Sequence, residues 1–399
     1  MPVLDCVLTD SLLRPIERRP ILSIVIPTFS RPQEMAVAVA SIAAQIDEAL
    51  DDKVEIIVTD NASGPQTADI LKQLAQAYPS VNYLIHARNE GGGFQIYAAP
   101  HRARGRWTWV FGDDDALENN SLHTIVSFLE AKNPAFLTLN RQVWNTSLDK
   151  RLIATKHDLP DTEFPIFMDL VEQIGFDQLS FLTSQIYATD LARLVDHEPY
   201  LNSICRYSQL AYYVEAFHGH SAYYSASPVV LHRWDAGANA VHALNFHHLA
   251  TYFPELLQFA ADRAGVAPGL FERIGGRRSI LGPEQRRITF VDNILENLWR
   301  CAGVGESISE NEWRALAELS LQWRPDRSEQ LQAVRDMGGK LDQAFGHYQN
   351  LLNEHRELAA AQSDLELEMA KQLEAAIHTV KNNINAARTA AIELSRSFA

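Results

Sequence analysis

The sequence predicts an α/β fold with a mostly parallel central sheet, followed by helices. Two observations support this prediction. Short apolar runs alternate with amphipathic segments from Ile21 onward, and strand signals fade after about residue 245. We therefore expect an α/β domain over residues 20–245, a helical domain over 246–335, and a long amphipathic or coiled-coil helix over 336–399.

The order of the predicted elements implies parallel strands joined through helices. The predicted strands cover residues 21–27, 54–59, 81–86, 107–111 and 135–140, and the predicted helices cover 33–49, 65–78, 94–104 and 119–131. Mixed signals follow, with strands over 179–187 and 222–230 and helices near Asp190 and Gln209. Ligands of such sheets bind beyond the carboxyl ends of the strands, so the residues that follow each strand are the candidates for function.

The last segment has apolar residues at alternating spacings of three and four, from Leu341 to Leu394. This spacing predicts a long helix that pairs with another helix, with one change of phase resembling a stutter. We expect a homo-oligomer formed through this helix, or docking of a partner helix. The alternative is a single amphipathic helix packed back on the body of the protein.

Composition excludes several classes of partner. The net charge of −15 argues against nucleic acid, because binding to that polyanion depends on Lys and Arg. Apolar runs such as 21–27 are far shorter than the roughly 20 residues of a transmembrane helix, and no signal segment opens the chain. We therefore expect a cytoplasmic protein without a transmembrane segment, with peripheral contact at the inner face of the membrane as a further option.

The first predicted strand ends in Pro27, Thr28 and Phe29, with Arg31 two residues later. A proline interrupts the ladder of hydrogen bonds and leaves backbone groups exposed, where a flat ring can meet them. We therefore regard these four residues as candidates for binding a cofactor or substrate. A plain turn is the alternative.

Polar residues also follow the second and third strands. Asp60 and Asn61 come after the second strand, and a carboxylate there can accept a hydrogen bond from a nucleobase; capping of the next helix by Asp60 or Ser63 is the alternative. Arg88 and the glycines around Gly92 follow the third strand, where glycines let a backbone approach a phosphate or a sugar. The segment is neither a Walker loop nor a GxGxxG motif.

The fourth strand runs directly into Gly112, Asp113, Asp114 and Asp115. Three adjacent carboxylates repel one another unless a cation compensates their charge. Mg²⁺ and Mn²⁺ prefer oxygen ligands and commonly bridge carboxylates to a diphosphate. The sequence therefore predicts a Mn²⁺ or Mg²⁺ site here, with an Asp-rich surface turn as the alternative.

In combination these motifs resemble the family-2 glycosyltransferases, which have the GT-A fold. Residues 24–29 resemble the opening strand of that family, residues 58–63 its base-binding segment, and residues 103–115 its DxD metal-binding region. The resemblance spans about residues 20–240. It implies an inverting transfer of sugar from a nucleotide-sugar donor to a saccharide or lipid-linked acceptor, as in surface polysaccharide or glycoconjugate synthesis.

The resemblance also implies roles for individual residues. Pro27, Thr28 and Asp60 would hold the base of the nucleotide, Asp113 the ribose or the metal, and Asp115 the metal. The spacing from Gly219 to a late histidine matches the family, and it makes His232 a third metal or diphosphate contact; a histidine exposed at a strand end is the alternative.

One departure from the family concerns the catalytic base. Many relatives carry an acidic pair where this chain has Tyr207 and Ser208, neither of which is a suitable base at neutral pH. Asp177, Glu198 and Glu215 are the remaining candidates, and Glu198 is favoured because it is predicted to lie in a loop.

Two other functions are open to such a chain. A nucleotidyltransferase would need a glycine-rich loop directly after the first strand, and residues 27–31 contain no glycine. A non-catalytic nucleotide-sugar-binding scaffold, oligomerised through the C-terminal helix, would account for the missing acidic pair.

Overall fold

The computed structural model describes residues 6–234, 252–266 and 350, and the side chains of residues 177 and 254 lie outside that description. By its internal contacts the chain divides into two compact units, and residues 6–234 and 252–266 lie in the first, Met1–Asp235 with Tyr252–Pro283. Most of the expected helical domain and of the expected C-terminal helix therefore lies outside the described residues, and both stay predictions.

The first unit is built on one eleven-stranded mixed sheet. Its strands are β1 (Leu8–Leu12), β2 (Leu22–Thr28), β3 (Val54–Asp60), β4 (Val81–His86), β5 (Trp107–Val110), β6 (Ala116–Leu117), β7 (Phe136–Asn145), β8 (Arg151–Ile153), β9 (Thr162–Phe164), β10 (Gln185–Ala188) and β11 (Ala222–Trp234). The order across the sheet is β1-β4-β3-β2-β5-β10-β7-β11-β6, and β8 and β9 pair with β7 and β11. The expected α/β fold with a central sheet is confirmed.

Helices connect the strands in the expected alternation. They are α1 (Pro32–Ala43), α2 (Pro65–Ala77), α3 (Gly92–Arg102), α4 (Leu122–Lys132), α5 (Phe167–Ile174), α6 (Phe176–Leu179), α7 (Thr189–Ala192), α8 (Glu198–Leu201), α9 (Ser208–Phe217) and α10 (Phe253–Ala264). A short 3-10 helix covers Leu182–Ser184. No helix within the described residues is long and apolar enough to cross a membrane.

One parallel part of the sheet consists of β4, β3, β2 and β5, and β7 and β11 form another parallel pair. Every residue of β3 and β4 is buried, as expected for strands covered on both faces. The register pairs Thr28 of β2 with Asp60 of β3, and Val25 of β2 with Val110 of β5. The carboxyl ends of three neighbouring strands therefore meet at one edge.

The sheet differs from the expectation beyond β5. The segment predicted as a strand over residues 179–187 forms the end of α6, a 3-10 helix and only then β10, which lies antiparallel between β5 and β7. Ser and Thr side chains in this segment favour turns over a continuous strand. The antiparallel strands make the second half of the sheet mixed, which the alternation of strands and helices did not indicate.

A buried polar cluster lies at the other side of the sheet, where the parallel strands β2 and β3 begin. Glu55 accepts hydrogen bonds from Ser23 Oγ at 2.5 Å and from Arg104 Nε at 2.7 Å. The backbone N–H of Gly105 donates to Ser23 Oγ at 2.7 Å. A Cβ at Gly105 would lie 2.7 Å from the backbone nitrogen of Ser23, so only glycine fits between α3 and β5 at this point.

We predict that Gly105→Ala lowers the free energy of unfolding by about 1–3 kcal/mol, because backbone atoms would have to move. Gly219→Ala is the matched control: a Cβ there would meet nothing within 4 Å, so we expect a change within about 0.5 kcal/mol. Urea unfolding of both variants measures the difference. Equal stability of the two variants would contradict the packing at Gly105.

Candidate functional site

The end of β2 connects two groups of carboxylates. Thr28 Oγ1 donates to Asp113 Oδ2 at 2.8 Å. Ser30, with a φ of 56°, turns the chain into α1 and donates its N–H to Ser63 Oγ at 2.8 Å. Ser63 Oγ in turn donates to Asp60 Oδ1. The turn after β2 thus contacts the residues that follow both β3 and β5.

Asp60 has one carboxylate oxygen engaged and one without a hydrogen-bond partner. Asp60 is fully buried, and its Oδ1 accepts a hydrogen bond from the Ser63 N–H at 3.1 Å. Its Oδ2 is buried and has no hydrogen-bond partner. Burial raises the pKa of this carboxyl above its ordinary value. Asp60 therefore stabilises the turn before α2, as the capping alternative anticipated, and retains an acceptor for a ligand.

Asn61 fixes the glycine segment before α3. Its Oδ1 accepts from Glu90 N–H at 2.9 Å and from Gln95 Nε2 at 2.9 Å, and its Nδ2 donates to Asn89 Oδ1 at 2.7 Å. Each polar atom of the side chain thus has a protein partner. Asn61, predicted as a binding residue, is placed to hold the loop rather than to contact a ligand through its amide.

The glycine segment leaves room beside the backbone. Gly91 has a φ of 87°, which L side chains rarely adopt, and it precedes the first residue of α3, Gly92. A Cβ at Gly92 would meet nothing within 4 Å. The N–H groups at the start of α3 are available to an anion there. Arg88 is exposed and pairs with Glu90 at 2.8 Å.

Two exposed side chains, Phe29 and Arg31, follow the end of β2. Phe29 is 48% exposed, and Pro27 pairs with Thr59 in the sheet. Arg31 reaches the third strand end, where its NH1 lies 3.2 Å from Asp113 Oδ1 and 2.8 Å from Asp114 Oδ2. Of the predicted residues of this segment, Thr28 and Arg31 thus contact the carboxylates.

The three carboxylates after β5 have different surroundings. Burial, followed by repulsion from Asp114, raises the pKa of Asp113 to about 6 and that of Asp115 to about 8. Asp115 accepts from Thr183 Oγ1 at 2.5 Å and from the N–H of Arg233 at 3.1 Å. The side chain of Asp114 is 40% exposed, against 10% for Asp113. Asp114 is therefore the carboxylate most open to a ligand.

Gly112 is required at the start of this turn. A Cβ there would lie 2.9 Å from Asp115 Oδ2, 3.0 Å from Thr183 Oγ1 and 3.2 Å from Asp114 Oδ1. These contacts are closer than side chains tolerate, so a larger residue would displace the carboxylates. Sequence reasoning treated the glycine only as part of the turn.

The carboxylates fit a hard divalent cation such as Mn²⁺ or Mg²⁺, which prefers oxygen ligands. A cation beside Asp113 and Asp115 would favour the charged form of carboxyl groups that burial now disfavours. Within residues 6–234 and 252–266, no group of three or more His, Cys, Asp or Glu side chains is arranged to hold a metal by itself.

His232 lies near the end of β11, where its ring packs 4.3 Å from the ring of Phe181. The next residue makes the direct contacts with the carboxylate turn: besides its N–H to Asp115, Arg233 donates Nε to the backbone oxygen of Asp114 at 2.7 Å. The strand end that carries His232 thus contacts the carboxylate turn through Arg233, and metal binding by His232 stays a prediction.

The three candidate bases lie in three different environments. Glu198 is exposed at the first position of α8, a helix rather than the loop that was expected. Leu201 at the other end of α8 would lie 3.8 Å from a Cβ at Gly93, so α8 packs beside the glycine segment. Glu215 forms an ion pair with Arg263 at 2.9 Å and accepts a hydrogen bond from the hydroxyl of Tyr200. Asp177 lies in α6, and its side chain is not among those that the structure describes.

Sequence reasoning missed Thr183, Gln95 and Arg141. Thr183 and Gln95 bind Asp115 and Asn61, respectively. The guanidinium of Arg141 lies 4.3 Å from the ring of Phe181, and its charge lowers the pKa of Asp115 against the effect of burial. Thr183 and Arg141 lie far along the chain from the motifs, so local patterns carried no signal for them.

An aromatic cluster holds α8 in place. The ring of His197, directly before α8, lies 5.0 Å from those of His101 and Tyr212 and 5.6 Å from that of Tyr97. His197 Nε2 is buried without a hydrogen-bond partner. Burial, followed by repulsion from His101, lowers the pKa of His197 to about 4, although Asp196 acts in the opposite direction.

Comparisons with known proteins agree with the motifs. Residues 23–187 match the family model described as glycosyl transferase family 2. A segment of 118 residues is 30% identical to abequosyltransferase RfbV of Salmonella typhimurium and covers 29% of this chain and 35% of that protein. The matched segment thus spans about a third of the length of this curated relative. The family match and the sheet confirm the family resemblance and the expected fold class.

The solved structures similar to this chain include TarS and PcManGT. TarS 1-349 of S. aureus in complex with UDP-GlcNAc has a TM-score of 0.48 at 13% identity, over 81% of this chain and 90% of that chain. Mannosyltransferase PcManGT of Pyrobaculum calidifontis, in complex with GDP-Man and Mn2+, has a TM-score of 0.46 at 14% identity, over 84% of this chain and 90% of that chain.

We predict that His197 makes the protein less stable in acid. Its folded pKa of about 4 lies below the ordinary 6.5, so the unfolded chain binds a proton first as the pH falls. The stability that neutral His197 contributes is complete above about pH 6.5 and is lost as the pH falls towards about 4. Replacement by phenylalanine, His197→Phe, should remove this part of the pH dependence.

Thermal unfolding between pH 4 and pH 7 tests the prediction. The melting temperature of wild type minus that of His197→Phe should decrease steadily as the pH falls. His220→Asn, at an exposed position, is the surface control. A difference between wild type and His197→Phe that does not change with pH would show that His197 is not held neutral.

Proposed function

Because residues 23–187 match glycosyl transferase family 2, we propose that this chain transfers a sugar from a nucleotide-sugar donor to a saccharide or lipid-linked acceptor. Synthesis of a surface polysaccharide or glycoconjugate is the process that we infer. The observation that carries the proposal is the meeting of Asp60 and the Asp113–Asp115 carboxylates at one sheet edge, linked through the turn after β2.

The base of the nucleotide is assigned to the segment after β2 and β3. The unpartnered Oδ2 of Asp60 is available to accept an N–H from a base. Phe29 is exposed and offers surface to a flat ring, and Pro27 and Thr28, directly before it, are assigned to the same subsite. We thus assign the donor to the carboxyl ends of the parallel strands, where sheets of this kind bind ligands.

The diphosphate is assigned to the space between the start of α3 and the carboxylates after β5. Backbone N–H groups near Gly92 suit phosphate oxygens, and Arg88 adds a positive charge nearby. Asp113 and Asp115 would hold Mn²⁺ or Mg²⁺, with Asp114 as the most exposed carboxylate and His232 as a further ligand. When bound, the metal supplies charge stabilisation for the departing diphosphate.

The transfer is proposed to invert the anomeric centre in a single displacement. The acceptor oxygen bonds to the anomeric carbon, the bond from that carbon to the phosphate oxygen breaks, and the acceptor proton passes to a base on the protein. Glu198 is the preferred base because α8 packs beside the glycine segment and Glu198 is exposed. Glu215 is less suited while it pairs with Arg263, and Asp177 is the remaining candidate.

A second candidate function is a non-catalytic scaffold that binds nucleotide-sugars and oligomerises through residues 336–399. One observation favours it. Tyr207 and Ser208 occupy the position of the acidic pair of many relatives, and Ser208 Oγ lies 2.6 Å from the hydroxyl of Tyr97. Burial raises the pKa of Tyr207 well above its ordinary value. Neither side chain can serve as a base at neutral pH.

The experiment that tests the proposal is a donor panel. We predict slow, metal-dependent release of nucleotide from one of the UDP-, GDP-, dTDP- and CMP-linked sugars with Mn²⁺, abolished by EDTA. Asp114→Asn should lower the rate by about 100-fold or more, because it removes a negative charge beside the proposed metal ion. Asp52→Asn, at an exposed aspartate in the turn before β3, should leave the rate unchanged.

The outcomes separate the two functions. Release of one nucleotide, lost in Asp114→Asn, supports the transferase. Metal-dependent binding of nucleotide in calorimetry without release, even with saccharide acceptors added, supports the scaffold. Absence of both binding and release for every donor would contradict both.

A further inference from the structure

Arg31 stands where a cation would stand between two of the carboxylates. Its NH1 lies 2.8 Å from Asp114 Oδ2 and 3.2 Å from Asp113 Oδ1, so one guanidinium nitrogen bridges both groups. Carboxylates at this spacing repel each other, and the positive charge of Arg31 offsets that repulsion. The charge of Arg31 thus compensates the carboxylates without a metal.

The backbone of Arg31 is fixed, whereas its side chain is partly free to move. Arg31 directly precedes α1, and its carbonyl oxygen accepts from the N–H of Met35 at 3.0 Å. The backbone N–H of the preceding residue, Ser30, donates a hydrogen bond to Ser63 Oγ. The Arg31 side chain is 43% exposed and Asp114 is 40% exposed. The guanidinium can therefore leave the carboxylates while its attachment to the sheet edge remains.

We propose that Arg31 is an exchangeable counter-cation that makes metal binding depend on the nucleotide. This inference rests on the proposed function. Before the donor binds, Arg31 occupies Asp113 and Asp114 and weakens the binding of a free divalent cation. When a nucleoside diphosphate arrives with the metal, its phosphate oxygens accept the guanidinium, for which arginine has suitable fork geometry. Asp113 is then released to the metal, and the guanidinium no longer holds Asp114.

This exchange has a thermodynamic consequence. A nucleotide that draws Arg31 away raises the affinity for the cation, and by linkage the cation raises the affinity for the nucleotide by the same factor. The protein would bind the two ligands together and discriminate against either alone. A residue that only stabilised the turn would have the opposite effect when replaced, because its loss would weaken cation binding.

The sharpest test is therefore a gain of affinity. Titration of the full-length protein with Mn²⁺ alone, followed by the electron paramagnetic resonance signal of free Mn²⁺, should show about tenfold tighter binding in Arg31→Gln than in wild type, since a competing charge a few ångströms away is removed. Arg31→Lys keeps the charge and should resemble wild type. A variant in which the carboxylate turn is disordered would instead bind Mn²⁺ more weakly.

Arg19→Gln is the matched control. Arg19 is 44% exposed and pairs with Asp190 at 2.8 Å, so it resembles Arg31 in exposure and in partner but lies in another ion pair. Its replacement should leave the Mn²⁺ affinity unchanged. The same titrations with excess UDP, GDP or dTDP measure the coupling, and the nucleotide should improve Mn²⁺ binding less in Arg31→Gln than in wild type.

Two results would overturn the inference, and they are distinguishable. If wild type binds Mn²⁺ with a nucleotide but Arg31→Gln binds Mn²⁺ alone no more tightly than Arg19→Gln, the counter-cation role fails and the proposed function stands. If no variant binds Mn²⁺ with or without any nucleotide, the proposed metal site fails and the inference fails with it.

Discussion

The repulsion among Asp113, Asp114 and Asp115 is the constraint on which the arrangement of the site depends. Burial removes these carboxylates from water, and the raised pKa values of Asp113 and Asp115 record that cost. Hydrogen-bond donors from distant segments contact these carboxylates. They are Thr28 at the end of β2, Arg31 after β2, Thr183 before β10, and the backbone N–H of Arg233 in β11. These contacts with the carboxylates therefore connect the ends of the strands, although the carboxylates repel one another.

The same contacts join the two halves of the candidate donor site. Asp60 binds Ser63, Ser63 binds the N–H of Ser30, and the next residue, Arg31, reaches Asp113 and Asp114. A ligand that engages Asp60 thus touches a chain of contacts ending at the proposed metal site. Because the links are hydrogen bonds at a fixed sheet edge, the register of β2 against its neighbours sets the distance between Asp60 and the carboxylates after β5, where the base and the diphosphate are proposed to bind.

The second half of the sheet bears on whether the protein is an enzyme or a binder. Thr183 and the Arg233 N–H of β11 donate hydrogen bonds to Asp115 in the carboxylate turn, even though Tyr207 and Ser208 stand where many relatives have an acidic pair. The hydroxyl of Ser208 is instead turned to Tyr97, in the cluster that also seats α8. If catalysis occurs, the base has moved to another element, and α8 beside the glycine segment is the element that the packing favours.

The sequence by itself determined the parallel strands, the ends of β4 at Val81–His86, and the candidate residues after β2, β3 and β5, because these features follow from local periodicity and from short motifs. Only the tertiary structure decided that β10 inserts antiparallel, that Glu215 is held by Arg263, that Asn61 binds the loop, and that Arg31 bridges two carboxylates. These outcomes depend on contacts between residues far apart in the chain, and on which polar groups are buried away from water. Neither is encoded in the spacing of neighbouring residues.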